Sequence, residues 1–150
     1  MNRINYVIGD ATARQGEGMK IIVHCCNDIG AWGAGFVKAL SRKWLKPETL
    51  YRAKSNYVLG NVDMVLVEKD IVVANMIGQH GIGVDEDGNA PVRYSAIAQG
   101  LKLINERALH LEATIHCPRF GSDLAGGDWE VIERLIMETI TVPVTVYDLP

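Results

Sequence analysis

Residues 24–38, HCCNDIGAWGAGFVK, join an apolar segment to a helical pattern. The apolar segment, residues 19–23, ends at His24, and a polar turn rich in glycine runs from Asn27 to Gly35. A strand that delivers bare backbone to the start of a helix presents several N–H donors, which suit a phosphate group. The stretch therefore predicts a phosphate site. No Lys-Ser/Thr pair follows the last glycine, so the stretch is not a Walker-type loop. The glycine spacing also differs from the dinucleotide-binding fingerprint.

The composition indicates a globular chain. Of its 150 residues, 48% are hydrophobic and 22% are charged, which is enough apolar material for a core. The formal net charge of -3 argues against general nucleic-acid binding through the phosphate backbone. Residues 38–54 are an exception, with six lysines and arginines against one acid. A solvated helix face explains this segment more simply than a docking patch for an acidic partner.

The cysteine content predicts a cytoplasmic protein. The three cysteines, Cys25, Cys26 and Cys117, form no CxxC pair and lie in apolar segments, which favours reduced thiols packed in a core. No stretch has the length of a signal sequence or a membrane span, so no membrane partner is expected. The histidines and cysteines lack the spacing of zinc ligands, so we expect no metal site. The oligomeric state is left open.

Strand and helix patterns alternate along the chain. Alternation of this kind predicts an α/β layered fold with a largely parallel sheet at its centre. We expect helices over residues 33–44, from Pro91 to about Leu109, and over Trp129–Thr139 with Asp128 as the N-cap. The predicted strands are Ile4–Ile8, 20–26, Val62–Glu68, 71–76, 113–118 and 142–149, with residues 57–60 as a further candidate.

A second glycine-rich turn, residues 121–127, also follows a predicted central strand and precedes a helix. In parallel sheets, ligands bind beyond the carboxyl ends of the strands. The two turns should therefore meet at the same edge of the sheet. Two groups of backbone donors at one edge suggest an extended anionic ligand such as a diphosphate.

Five motifs together resemble a macro domain, and the resemblance runs from residue 3 to the C-terminal TVYDLP. It is closest to the branch that contains ADP-ribose 1''-phosphate phosphatases and related de-ADP-ribosylating enzymes. The resemblance implies a single macro domain over residues 1–150, with a three-layer α/β/α fold around a mixed sheet and ADP-ribose in a cleft. It implies no cofactor. The motifs are VIGDAT (7–12), HCCN (24–27), GAG (33–35), PRFG (118–121) and LAGGDW (124–129).

The resemblance also assigns binding residues. Asp10 would accept a hydrogen bond from the adenine amino group, Ala11 would contribute backbone, and Tyr147 is a candidate for the wall behind the adenine. The diphosphate and the distal ribose, or its phosphate, would be wrapped by both glycine turns. Their contributing residues are Gly33, Ala34, Gly35, Phe36, Gly121, Ser122, Leu124 and Ala125.

His24, Asn27 and Asp123 are the three candidates for catalysis, and Asp28 is a further possible base. His24 lies near the strand-to-loop end before the first turn, where a histidine can donate to a phosphate oxygen or carry a proton to the leaving ribose hydroxyl. A satisfied core histidine is the competing interpretation. Asn27 can orient a ribose hydroxyl or water, or simply shape the turn. Asp123 and Asp28 are possible bases for activating water, and a turn-capping role explains Asp28 more simply.

Two departures from the family limit the mechanism. The family usually has glycine at the position of Asp123, whose charge either weakens ligand binding or supplies a carboxylate. Ala125 stands where the subgroup with a lysine nucleophile has an aspartate, and the loop around His80 offers no lysine, which argues against a covalent mechanism.

The resulting hypothesis is hydrolysis of ADP-ribose 1''-phosphate to ADP-ribose and phosphate. The alternatives are a non-catalytic reader of ADP-ribose, or a hydrolase that removes ADP-ribose from a modified macromolecule. The expected partner is therefore ADP-ribose or its 1''-phosphate, with nucleic acid entering only as a modified substrate.

Overall fold

A six-stranded sheet forms the centre of the protein. The structure is a computed structural model that describes residues 4–13, 16–122 and 125–150. The strand order is β1-β6-β5-β2-β4-β3; β3 and β4 are antiparallel, and the other neighbours are parallel, which makes the sheet mixed, as expected. The strands are β1 (Ile4–Ile8), β2 (Lys20–Asn27), β3 (Val62–Glu68), β4 (Ile71–Gln79), β5 (Thr114–Cys117) and β6 (Val144–Asp148).

Helices cover both faces of the sheet and complete a three-layer α/β/α fold. They are α1 (Phe36–Lys43), α2 (Lys46–Arg52), α3 (Tyr94–Leu111) and α4 (Trp129–Thr139). Leu40 of α1 and Tyr51 of α2 pack in one core cluster, whereas α3 and α4 contribute residues such as Ile97 and Ile132 to the other. Among the described residues, no helix is long and apolar enough to cross a membrane.

The central strands are buried on both sides, because each face of the sheet packs against helices. In β2, Ile21 and Val23 belong to the α3/α4 cluster, while Ile22 and Cys26 belong to the α1/α2 cluster. This alternation follows from the two-residue period of a strand. It also carries His24, a polar residue of β2, into the interior, where it is only 1% exposed.

The helices differ from the sequence prediction in three places. Helix α3 begins at Tyr94 and not at Pro91, because Val92 pairs with Gln79 in an isolated β-bridge and Arg93 is extended. Helix α1 begins at Phe36 and not at residue 33, because Gly35 has a left-handed φ of 77° that a helix does not accept. Helix α2 was not predicted: we expected Pro47 to stop a helix, but here it lies in the first turn of one, where its missing N–H does no harm. Residues 57–60 form no strand. The Asp128 cap is confirmed, since its side chain accepts from Glu130 N.

Candidate functional site

A cavity of about 420 Å³ opens at the carboxyl ends of β2 and β5. The two glycine turns form opposite parts of its wall, as the sheet topology requires. Eight of the residues predicted for the site line it: His24, Asn27, Gly33, Ala34, Gly35, Phe36, Gly121 and Ala125. The other lining residues are Cys25, Cys26, Ala31, Trp32, Val37, Gln79, Ile82, Pro118, Arg119 and Phe120.

The first glycine loop, residues 28–35, presents exposed backbone to this cavity. Gly33, Ala34 and Gly35 are all exposed, and none of their N–H groups donates to another atom of the described residues. In the first turn of α1, Lys38 N donates to Gly35 O (3.1 Å), whereas the preceding N–H groups of Phe36 and Val37 have no intrahelical acceptor. This loop therefore offers unsatisfied donors at the positive end of a helix dipole.

The Asn27 side chain holds this loop in shape. Its Oδ1 accepts from Ile29 N (3.1 Å), Ala31 N (3.0 Å) and Tyr51 Oη (2.8 Å), and its Nδ2 donates to Ala31 O (2.7 Å). The side chain is thus engaged by the protein itself. The turn-shaping role is realised; orientation of a ribose hydroxyl or water stays a prediction.

Helix α2 braces the same loop from below. Arg52 donates from Nη2 to Trp32 O (2.9 Å) and from Nε to Glu48 Oε2 (2.8 Å). The Trp32 indole donates to Ser41 Oγ, which in turn donates to Glu48 Oε1. Sequence reasoning missed this brace together with α2 itself. It also assigned part of the basic segment 38–54 to a solvated surface, whereas Arg52 ties two elements together.

The second glycine loop, residues 121–127, is held by its backbone. Gly127 N donates to Gly121 O (2.8 Å), and Val92 N donates to Ala125 O (3.0 Å). A Cβ on Gly127 would lie 2.3 Å from Gly121 O, so only glycine fits there. Two residues predicted for the site, Asp123 and Leu124, lie outside the described residues.

His24 is buried and neutral. Its Nε2 lies 2.6 Å from Asn75 Oδ1, and Asn75 Nδ2 donates to Pro47 O, which leaves the amide oxygen to accept from the histidine. Burial lowers the pKa of His24 to about 4, although the Asn75 hydrogen bond opposes this shift. With the proton on Nε2, only Nδ1 can accept another. His24 therefore meets both descriptions that the sequence left open: a satisfied core histidine that also lines the cavity.

Asp28 connects the first glycine loop to the loop after β4. Its Oδ1 accepts from Gly81 N (2.8 Å), and its Oδ2 lies 2.7 Å from His80 Nδ1. Burial alone would raise the pKa of the Asp28 carboxyl, but the hydrogen bonds from Gly81 and His80 outweigh it and hold that pKa below its ordinary value. This geometry matches the turn-capping interpretation, and Asp28 does not line the cavity.

Four predicted binding residues do not line the cavity: Asp10, Ala11, Ser122 and Tyr147. Tyr147 is only 4% exposed and its hydroxyl lies 2.6 Å from His116 Nδ1, so little of the residue is available to stack on a base. Asp10 Oδ1 accepts from both N and Oγ1 of Thr12. Its contact with the adenine stays a prediction.

Arg119 lines the cavity and was not predicted for the site. The guanidinium donates to Asp148 through Nε (2.6 Å) and Nη2 (3.1 Å) and lies over the rings of Tyr6 and Trp129. The available signal was its position, directly after Pro118 at the end of a central strand and before the glycine turn.

The thiols near the cavity are protonated. Burial raises the pKa of Cys25 to about 12 and the pKa of Cys26 well above its ordinary value. Such thiols are poor nucleophiles at neutral pH. Within the residues that the structure describes, no three histidine, cysteine or acidic side chains come together in a way that would hold a metal ion.

Several solved structures match nearly the whole chain, and two of them show how similar they are. A Bacteroides thetaiotaomicron protein of unknown function is 49% identical with a TM-score of 0.94, covering 97% of this chain and 98% of its own. A macrodomain protein from Streptomyces coelicolor is 48% identical with a TM-score of 0.84, covering 97% and 99%. The Thermosipho africanus DarTG structure in complex with ADP-ribose (17% identical, TM-score 0.66, 88% of this chain and 38% of that chain) shares only the fold.

Curated relatives are matched over part of their length. Chromodomain-helicase-DNA-binding protein 1-like from Mus musculus is 31% identical over 98% of this chain, and its Danio rerio counterpart is 32% identical over 89%. The chain spans 18% and 14% of these relatives. An ADP-ribose 1''-phosphate phosphatase from Meyerozyma guilliermondii is 31% identical over 34% of this chain and 29% of the phosphatase.

No family model matches the chain. The Streptomyces coelicolor protein nevertheless matches it almost from end to end at close to half of all positions, with the same fold. The motifs on which the resemblance rested contribute both glycine loops of the cavity. The chain therefore belongs to the macrodomain family.

Proposed function

We propose that this chain binds ADP-ribose in the cavity, with the diphosphate between the two glycine loops. One observation carries the proposal: Gly33, Ala34 and Gly35 of the first loop, whose backbone N–H groups donate to no other atom of the described residues, line the same cavity as Gly121 and Ala125 of the second. Such donors bind an anion without a bulky side chain in the way. The ADP-ribose complex of the Thermosipho africanus protein, which shares the fold, supports this choice of ligand.

A matched pair of substitutions tests this proposal by calorimetric titration with ADP-ribose. Ala34 and Ala53 are both exposed, but only Ala34 lines the cavity. A carboxylate at position 34 would repel the diphosphate, so Ala34→Asp should weaken binding by about tenfold or more. Ala53→Asp adds the same charge elsewhere and should leave the affinity unchanged. Absence of binding by the parent chain, or equal losses in both variants, would contradict the proposal.

Hydrolysis of ADP-ribose 1''-phosphate is the second part of the proposal. A water oxygen would form a bond to phosphorus, the bond to the distal ribose oxygen would break, and that oxygen would take up a proton. The partial similarity to a phosphatase of this name favours the reaction. Neutral His24, with its proton on Nε2, would act as an acceptor at Nδ1 and not as a donor.

Phosphate release from ADP-ribose 1''-phosphate tests this second part. The parent chain should release phosphate, His24→Ala should release it at least about tenfold more slowly, and His80→Ala, which changes an exposed histidine outside the cavity, should match the parent. Binding without release would leave a reader of ADP-ribose. Release of ADP-ribose from a modified protein or nucleic acid, but no release of phosphate, would favour the third alternative.

A further inference from the structure

Arg119 lies in surroundings that suit a ligand-binding residue, but the proposed function gives it no role. It is the one lysine, arginine, aspartate or glutamate among the described residues that line the cavity. Its side chain is 42% exposed, yet it is held in place by contacts from three elements. Asp148 comes from β6, Tyr6 from β1 and Trp129 from the start of α4. A partly exposed arginine that is fixed in this way at a cavity wall has little conformational freedom left to lose when a ligand binds.

The charge of Arg119 is already matched. Both oxygens of Asp148 accept from the guanidinium, at 2.6 and 3.1 Å, in the two-point geometry of an arginine–carboxylate pair. The Arg119 guanidinium also holds the pKa of Asp148 below its usual range, so the carboxylate is ionised at neutral pH. A phosphate that approached Arg119 would meet the negative charge of Asp148 as well. The pair is therefore poorly suited to the diphosphate.

The face of the guanidinium is suited to an aromatic ring. Its central carbon lies 5.1 Å from the ring centre of Tyr6 and 5.7 Å from that of Trp129. The two rings are linked, because the Trp129 indole donates to Tyr6 Oη at 3.0 Å and Tyr6 Oη donates to Glu133. Arginine planes that are supported on aromatic side chains stack readily on nucleobases.

We propose that Arg119, held by Asp148 and supported by Tyr6 and Trp129, binds the adenine base of the ligand through the face of its guanidinium and not the phosphates through its charge. The inference rests on the proposed binding of ADP-ribose. It also answers a question that the structure raises about the base: Tyr147, the wall expected from sequence, is almost completely buried.

The test separates base from phosphate by using three ligands: ADP-ribose, AMP, and ribose 5-phosphate, which has no base. Affinities are measured for the parent, Arg119→Ala and Arg119→Lys, with thermal unfolding to verify that each variant folds. Arg119→Ala should lower the affinities for ADP-ribose and AMP by the same factor, about 5-fold to 30-fold. The affinity for ribose 5-phosphate should be unchanged. Arg119→Lys keeps the charge but loses the plane, so it should behave like Arg119→Ala.

Other results would overturn the inference. If Arg119→Lys kept the affinity of the parent, or if Arg119→Ala lost affinity for ADP-ribose but not for AMP, Arg119 would act on phosphate through its charge. Unchanged affinities in Arg119→Ala would mean that the base lies elsewhere. A parent chain that binds none of the three ligands would refute the proposed function itself, which is a different outcome from either of these.

Discussion

The two glycine loops face the same cavity but are built in different ways. Side chains hold the first loop: Asn27 accepts from Ala31 N, Tyr51 of α2 donates to Asn27, and Arg52 of α2 donates to Trp32 O. Close backbone packing holds the second, in which Gly127 N bonds to Gly121 O and no room remains for a Cβ. Two loops that line one cavity can thus be held either by hydrogen bonds from side chains or by close backbone packing that leaves no room for a side chain. The two loops should therefore fail under different kinds of substitution.

The largest effect is expected at Asn27, where one side chain makes four hydrogen bonds that shape the first loop. Asn27→Ala leaves the N–H groups of Ile29 and Ala31 without their acceptor. The free energy of unfolding should fall by about 3 kcal/mol, and ADP-ribose affinity should fall with it. Urea denaturation and calorimetric titration measure the two quantities. Asn27→Asp, which keeps the acceptor oxygens, should lose less free energy of unfolding. Equal losses in the two variants would show that the hydrogen bonds of the turn do not cause the loss of stability.

A side chain added at Gly127 should disrupt the second loop by steric crowding. Gly127→Ala would press a methyl group against Gly121 O, so it should lower the free energy of unfolding by about 2 to 3 kcal/mol. Gly33 in the first loop is the matched control, since its Cβ would meet nothing within 4 Å. Gly33→Ala should change stability by less than about 0.5 kcal/mol. Similar losses in the two variants would contradict the contrast between the loops.

The lowered pKa of His24, which lies in the strand that leads into the first loop, predicts that stability depends on pH. Its pKa is about 4 in the folded protein, against an ordinary value of 6.5. The unfolded chain therefore takes up a proton first, and stability is lost as pH falls from 6.5 towards 4. Between pH 7 and pH 5 the parent should lose about 2 kcal/mol more than His24→Gln. Parallel pH curves for the two proteins would show that His24 titrates normally.

The Asp28 link should give the smallest effect. Because the pKa of Asp28 is held below its ordinary value of 3.8, the carboxylate contributes stability above that pH and loses it as pH falls through the folded pKa. Asp28→Asn should cost less than about 1 kcal/mol at pH 7, since the His80 partner is largely exposed. The difference should vanish near pH 2. A difference that persists there would have another origin.

Much of the fold follows from local patterns in the sequence. Apolar runs and turn residues predicted all six strands, and the Asp128 cap located the start of α4. Helix α2 was missed because Pro47 is equally compatible with the end of one helix and the start of the next. Tertiary contacts decide between these two possibilities: Pro47 is buried, and its carbonyl accepts from Asn75 of β4.

The lining of the candidate site was predicted in part, namely where backbone forms it. Glycine spacing identified both loops, because bare backbone leaves a signal in sequence. The direction of a side chain leaves much less. Tyr147 lies on a strand, and alternation alone does not say which face meets a ligand. Arg119 depends on partners from distant parts of the chain, Tyr6, Trp129 and Asp148, and no local pattern brings these together.

The central claim is that one ligand engages both glycine loops at once, and NMR of backbone amides tests it directly. Glycine amides appear in their own region of the nitrogen spectrum, and Gly33 and Gly35 report on the first loop as Gly121 and Gly127 do on the second. Titration with ADP-ribose should shift all four signals with a single saturation curve. Shifts confined to one loop, or none at saturating ligand, would contradict the account.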